Sequence, residues 1–208
     1  MDRRRRTPRD VPVREGLLAA GVELARSGGP EAVVLREATR IVGVVPNAAY
    51  RHFADRDELL AAVCGEAMRQ LAARMAAGVA AVPGRRGEPS PARQRLKAIG
   101  AAYLAFAREE PGLFATAFAV PQHHDYTAPD STSGPERTPL DHLRAQLDEL
   151  VEAGVIDKSR RPGLEYPIWS SVHGLAVLTG QGPLRTLPER TRDHLADLLS
   201  SFIDRALR

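Results

Sequence analysis

The stretch from Leu35 to Phe53 places two short helical segments on either side of a glycine, and this arrangement constrains the fold most strongly. Apolar residues recur three and four positions apart before Gly43, and Pro46 is a favourable first-turn residue for the second segment. Gly43 supplies the positive φ that a tight turn between helices needs. The spacing therefore predicts a helix-turn-helix, whose second helix presents its first residues to base edges in the major groove.

The rest of the chain is predicted to be helical as well, because few windows alternate with period two. We expect an all-α fold in which an N-terminal three-helix DNA-binding domain with a helix-turn-helix is joined to a C-terminal helical bundle. The predicted boundaries are a basic disordered arm at 1–12, the helix-turn-helix domain at 13–57 and the helical bundle at 58–208.

Charge is distributed unevenly along a chain whose formal net charge is only +3. Residues 1–9 hold five arginines against one acidic residue, and such a block either stays in solvent or contacts phosphates and the minor groove. No apolar run approaches the ~20 residues that span a bilayer. Cys64 is the only cysteine, so an internal disulfide is excluded. These features predict a cytoplasmic protein with no membrane contact.

The sequence contains no recognised catalytic motif: G-x-S-x-G, P-loop, G-x-G-x-x-G and H-E-x-x-H patterns are all missing. His123, His124 and Asp125 form a candidate metal group, but adjacent histidines in a polar segment are more often surface residues. Asp148 and Glu149 are neighbours on a predicted helix and point in different directions, so they do not form an acid–base pair. We predict no catalytic residue, no metal, no cofactor and no enzymatic activity.

Three groups of residues carry a family resemblance: Gly43-Val44, the run from Tyr50 to Phe53, and Glu58-Leu59-Leu60. With the order and spacing of four helices between Val13 and Val63, they resemble the TetR family of bacterial transcriptional regulators. The later segment from Trp169 to Leu175 resembles the Trp-x-x-x-His-Gly signature of one C-terminal subgroup, the Trp-His-Gly (WHG) subgroup. The resemblance implies a repressor that binds a pseudo-palindromic operator in double-stranded DNA as a homodimer and is released by a small-molecule effector.

The resemblance also assigns roles to residues around the turn. Tyr50, His52 and Arg56 would bind phosphates and set the register on DNA. Asn47 can pair with adenine, and Ala48 can touch a thymine methyl group. The complete set of predicted DNA contacts is Arg36, Arg40, Val45, Pro46, Asn47, Ala48, Tyr50, Arg51, His52 and Arg56.

Three positions depart from the family's pattern. Val34 and Val45 stand where the family usually has a hydroxyl residue before each helix of the motif, and losing a hydroxyl cap costs about 0.5–2 kcal/mol of helix stability. Thr39 replaces a small alanine. The missing hydroxyls at Val34 and Val45 support an alternative function, a helical interaction protein that no longer binds DNA specifically. Against that alternative stands the retention of Tyr50, Arg51, His52 and Arg56.

The second half of the chain would then sense the effector and form the dimer, as the resemblance implies. Ordinary core packing is the competing interpretation for each apolar residue named here. A pocket for a mostly apolar molecule is predicted to be lined by Tyr103, Phe106, Phe114, Phe118, Trp169 and His173. The predicted dimer interface is formed by Leu195, Leu198, Leu199, Phe202 and Ile203. Effector binding would change the spacing of the two recognition helices and weaken operator binding.

Overall fold

The computed structural model describes residues 10–119 and 137–207. Within these ranges the chain forms nine α-helices and no strand, which confirms the predicted all-α fold. Short 3₁₀ turns occur at Pro30–Ala32 and Lys158–Arg160. The helices are α1 (Asp10–Gly28), α2 (Leu35–Val42), α3 (Pro46–Ala49), α4 (Arg56–Ala80), α5 (Pro89–Glu109), α6 (Pro111–Ala117), α7 (Pro139–Glu152), α8 (Glu165–Gly180) and α9 (Glu189–Ala206).

The described chain forms two compact units. The N-terminal unit consists of residues 10–67 and 110–119, and the C-terminal unit consists of residues 68–109 and 137–207. Helix α4 therefore contributes residues to both units, and α6 belongs with the helix-turn-helix. The predicted boundary between residues 57 and 58 followed the end of the motif, whereas this division follows packing.

The N-terminal unit is built around fully buried side chains on α1, on the motif and on the first turns of α4. Leu17, Phe53 and Leu59 are fully buried, and Gly21 lets α1 lie close to Val63 on α4. Gly43 adopts φ 74° and ψ 28°, as predicted for the turn. The sequence therefore forms a small apolar core that fixes the angle between α2 and α3.

Helix α6 packs closely against the end of α1. A methyl group at Gly112 would collide with the backbone carbonyl oxygens of Ala25 and Arg26, so glycine permits this approach. Arg26 Nε donates to Glu110 Oε2 at 2.7 Å, directly before α6 begins. The Cys64 thiol donates to the Thr116 carbonyl oxygen at 2.9 Å and joins α4 to α6. These contacts make α6 part of the N-terminal unit.

The C-terminal unit has its core on one face of α7. Leu143, Leu147 and Leu150 pack against α5 and α8 in a single apolar cluster. Helix α5 is joined to the end of α7 by a buried ion pair between Arg95 and Glu149. A buried pair is tolerated when its polar atoms are satisfied, and Arg95 also donates to the Gly84 carbonyl oxygen.

The second helix of the motif is shorter than the sequence indicates. Pro46 as a first-turn residue and the residues after it predict a helix from Pro46 to about His52, but α3 ends at Ala49. Beyond it, the amides of Arg51 and His52 bond to carbonyl oxygens only three residues back, which tightens the backbone into turns.

Two sequence predictions lie outside the described residues: the basic arm with its arginines at 3–6 and 9, and the candidate metal group of His123, His124 and Asp125. In the described part of the chain, no helix is long and apolar enough to cross a bilayer.

Candidate nucleic-acid interface

The segment from Val45 to Phe53 has one narrow inward face. In this described stretch only Ala49 and Phe53, four residues apart, are buried. The side chains on either side of them are exposed or half-buried, and Val45 and Tyr50 are 69% and 58% exposed. A two-residue anchor therefore leaves the remaining side chains free to contact a partner.

The ten residues predicted to contact DNA are all accessible in the N-terminal unit. Ala48, His52 and Arg56 are half-buried. The exposed members are Arg36, Arg40, Val45, Pro46, Asn47, Tyr50 and Arg51. Their individual roles in DNA binding stay a prediction.

Two of the predicted cationic contacts already have acidic neighbours. Arg40 Nε lies 2.9 Å from Glu37 Oε2 on the surface of α2, which partly neutralises it. Arg56 Nη2 donates to the Pro30 carbonyl oxygen at 2.8 Å and lies 3.6 Å from Glu31 Oε2. Arg56 therefore joins the start of α4 to the 3₁₀ turn, so a phosphate would share a guanidinium that is already held in place.

The start of α4 is capped by Asp55 and Glu58, whose spacing in the sequence predicts a capping box. Asp55 Oδ1 accepts from the Glu58 amide at 2.8 Å. The Glu58 carboxylate accepts from the amide of Ala54 at 2.6 Å, one residue before the amide of Asp55 that a capping box would use. Arg56 is thereby positioned in a capped first turn.

One cation near the motif was missed by the sequence analysis. Arg14 on α1 places its guanidinium carbon 4.9 Å from the centre of the Phe53 ring. This cation–π contact joins residues 39 positions apart, so no local pattern could have indicated it. The contact positions a positive charge beside the end of the recognition segment, and Arg14 is a candidate phosphate contact.

Neither helix of the motif begins with a capping side chain. Val34 precedes α2 and Val45 precedes α3, both with extended backbones, and a valine side chain has no atom that can accept a hydrogen bond. Pro46 removes one of the amides that a cap would otherwise satisfy. Helix α7 differs, because Thr138 and Asp141 form a complete capping box.

Three of the predicted pocket residues form a hydrogen-bonded group in the C-terminal unit. The Trp169 indole N–H donates to the Tyr103 hydroxyl oxygen at 3.2 Å, and that hydroxyl lies 2.8 Å from His173 Nδ1. The indole can only donate, so the Tyr103 oxygen accepts that bond, whereas the donor between Tyr103 and His173 is set by the tautomer of the histidine. Burial lowers the pKa of His173, which favours the neutral ring.

The other predicted pocket residues have different surroundings. Phe106 is fully buried in the C-terminal unit, with the Arg74 guanidinium carbon 5.3 Å from its ring centre. Phe114 and Phe118 belong to the N-terminal unit and form an edge-to-face pair with ring centres 5.3 Å apart. Their joint role in a ligand pocket stays a prediction.

A groove of about 560 Å³ runs between α5 and α9 in the C-terminal unit. Gly100 and Ala101 line it on α5, and Leu199 and Ile203 line it on α9. The six predicted pocket residues are absent from this lining among the described residues. Small residues on α5 therefore leave space along α9 that apolar periodicity did not reveal.

The predicted dimer residues lie on two sides of α9. Leu198 and Phe202 are 49% and 59% exposed, whereas Leu195, Leu199 and Ile203 are half-buried. No residue of the described helix from Glu189 to Ala206 is fully buried. Val177 and Leu178, at the end of α8, are exposed as well. The last two helices thus leave apolar side chains uncovered within one chain.

Comparison with known proteins gives matches along most of the chain. The family model described as "Bacterial regulatory proteins, tetR family" matches residues 17–63, and the one described as "Tetracyclin repressor-like, C-terminal domain" matches residues 96–202. Neither description names the Trp-His-Gly subgroup, so that assignment stays a prediction. A search of curated proteins found no match.

Solved structures share the fold. A protein of unknown function from Rhodococcus sp. RHA1 is 24% identical, with a TM-score of 0.68 over 100% of this chain and 98% of its own. The TetR family transcriptional regulator PfmR from Thermus thermophilus is 19% identical, with a TM-score of 0.59 over 92% of this chain and 98% of its own. The two family matches and the helix-turn-helix geometry together lead to one conclusion: this chain belongs to the TetR family of bacterial DNA-binding transcriptional regulators.

Proposed function

We propose that this regulator is a cytoplasmic repressor that binds a pseudo-palindromic operator as a homodimer and is released by a small, mostly apolar effector. The observation that carries the proposal is the recognition segment, in which only Ala49 and Phe53 face inward while Val45, Tyr50 and Arg51 are exposed. Exposed side chains contribute little to the stability of the fold, so this set is available for contact with DNA.

DNA contact in this proposal divides between positioning and base recognition. Tyr50, His52 and Arg56 bind phosphates, and Arg14 adds a further phosphate contact from α1. Asn47 and Arg51 face base edges, where an amide suits adenine and a guanidinium suits guanine. Arg36 and Arg40 reach the backbone or the flanking bases from α2.

The homodimer is supported by the uncovered apolar side chains of α8 and α9. Leu198 and Phe202 gain burial only if another surface covers them. A second copy of the chain supplies an equivalent surface through two-fold symmetry. Two recognition helices then contact two half-sites, which supplies the base contacts that one short helix lacks.

The effector site of this proposal lies in the C-terminal unit. Tyr103, Trp169 and His173 combine apolar rings with polar tips, the lining that a mostly apolar ligand requires.

The testing experiment is selection of bound sequences from a random DNA pool by the purified full-length protein, followed by sequencing. We expect an enriched pseudo-palindrome whose half-sites are about one helical turn apart or a multiple of it. No enrichment at low salt would overturn the proposal and favour the alternative of a helical interaction protein.

Single variants then test the assignment of the recognition segment. Arg51→Ala is expected to abolish selective binding, and Tyr50→Phe, which removes one hydroxyl, to weaken binding to all sequences alike. Arg190→Ala removes the same charge from an exposed position on α9 and is the matched control. Binding of the wild type should also fall steeply with salt, since each phosphate contact contributes about 0.9 to the logarithmic slope.

A further inference from the structure

The fold gives no reason for a valine at position 45. It occupies the position before α3, where serine, threonine, aspartate or asparagine would cap the helix. Its side chain is 69% exposed, so it gains little from packing. The adjacent Val44 is half-buried, and the buried anchors of the segment are Ala49 and Phe53. Capping and burial therefore both fail to account for a branched apolar side chain at position 45.

The surroundings of Val45 form an apolar edge at the beginning of the recognition segment. Pro46 is exposed beside it, and Ala48, about one helical turn further on, is half-buried. The exposed polar side chains that follow along the chain are Asn47 and, beyond the end of α3, Tyr50. The first turn of the segment thus presents methyl groups where the family usually presents a hydroxyl.

The major groove contains one apolar feature, the C5 methyl group of thymine. Residues at the start of a recognition helix contact base edges. A valine there gains by covering that methyl group and gains nothing from cytosine, which has a hydrogen at the same carbon.

We propose that Val45, with Ala48 beside it, recognises the C5 methyl group of a thymine in each operator half-site. The inference rests on the proposed DNA-binding function and names one base that the operator must contain. The exposed side chain of Val45 then contributes to base specificity, whereas a capping residue at this position would make the helix more stable.

The test uses the full-length protein and the operator obtained by selection. Each thymine is replaced in turn, in both half-sites, by deoxyuridine, which pairs identically and lacks only the methyl group. At one symmetric position we expect the wild type to lose about four-fold in affinity per half-site, the factor that corresponds to one buried methyl-sized group. Other positions should lose little.

Two variants connect that loss to position 45. Val45→Ser removes both methyl groups, and Val45→Thr keeps the shape while replacing one methyl group by a hydroxyl. The serine variant should lose most of the preference for thymine over uracil, since only Ala48 is left to contact the methyl group, and the threonine variant should show an intermediate preference. Both should have a higher melting temperature than the wild type, because each supplies the missing cap. The higher melting temperature shows that any lost discrimination does not come from unfolding.

The inference is overturned if no thymine position is sensitive to loss of its methyl group. It is equally overturned if Val45→Ser retains the full preference for thymine, since another residue would then make the contact. If the selection yields no sequence, the proposed function fails and this inference fails with it; a selected operator with no methyl effect leaves the proposed function intact.

Discussion

At the scale of single residues, the Trp169–Tyr103–His173 group shows how burial favours one protonation state. The indole N–H donates to the Tyr103 oxygen, and that oxygen lies 2.8 Å from His173 Nδ1. The imidazole ring is half-buried, and burial penalises its charged form, which lowers its pKa. The neutral form of His173 is therefore favoured in the native state.

This arrangement predicts a pH dependence of stability. Burial lowers the pKa of His173 below its usual 6.5, and the pKa of His142 is lowered by burial and by Arg137. Below pH 6.5 the unfolded chain binds these protons before the native state does. The contribution of these histidines to the free energy of unfolding should be complete above about pH 6.5. It should decrease as the pH falls towards their lower pKa values in the native state.

Urea unfolding at a series of pH values between 7.5 and 5 checks this dependence. His173→Asn keeps an acceptor for Tyr103 and cannot titrate, so it should reduce the slope of stability against pH. His142 should account for part of the remaining slope. A slope that is identical in the wild type and in His173→Asn would contradict the assignment.

At the scale of helices, substitutions at an uncapped and at a capped helix start should change stability in opposite directions. Val34→Thr keeps the side-chain shape and adds an acceptor at the start of α2, so the free energy of unfolding should rise by about 0.5–2 kcal/mol. Thr138→Ala removes the side-chain acceptor of the α7 capping box and should lower it by a similar amount. Chemical denaturation of the two variants measures both. Equal and small changes would show that tertiary packing, and not capping, sets the stability of these ends.

The contact of α6 with α1 predicts a sharper effect at Gly112. Gly112→Ala places a methyl group against the Ala25 carbonyl oxygen, which is backbone and cannot rotate away, so destabilisation of about 1–3 kcal/mol is expected. Gly65→Ala is the matched control, because Gly65 is an exposed glycine within α4 with open space around it. That control should gain up to about 1 kcal/mol from helix propensity. Thermal unfolding distinguishes the two, and a neutral Gly112→Ala would contradict the close approach.

Helix positions were predictable from apolar spacing, whereas the association of α6 with the N-terminal unit was not. Periodicity shows that residues 111–117 form a helix with a buried face, but it does not say which surface covers that face. The surface that covers α6 is determined by Gly112, which has no side chain, and by an ion pair between Arg26 and Glu110, 84 positions apart. The contact of Arg14 with Phe53 escaped prediction for the same reason. Long-range contacts of this kind leave no local pattern in a single sequence.

At the scale of the whole molecule, the uncovered face of α9 predicts a stable homodimer in solution. Phe202→Glu puts a charge at the most exposed large apolar side chain of the helix, so the dimer should dissociate to monomers. Light scattering coupled to size-exclusion chromatography measures the mass. Ser201→Glu, one residue away on a different side of α9, adds the same charge at an exposed position and should leave the dimer intact. Monomers in both variants, or in the wild type, would contradict this interface.

The position of Trp169 has a practical consequence for finding the effector. It is the only tryptophan among the 208 residues, so the intrinsic fluorescence of the protein comes largely from one place in the C-terminal unit. The hydrogen bond from its indole to Tyr103 makes the wavelength of that emission sensitive to whatever disturbs this part of the unit. Unlabelled protein can therefore be titrated with candidate molecules directly, and a shift of emission would report on the proposed effector site and not on the recognition segment.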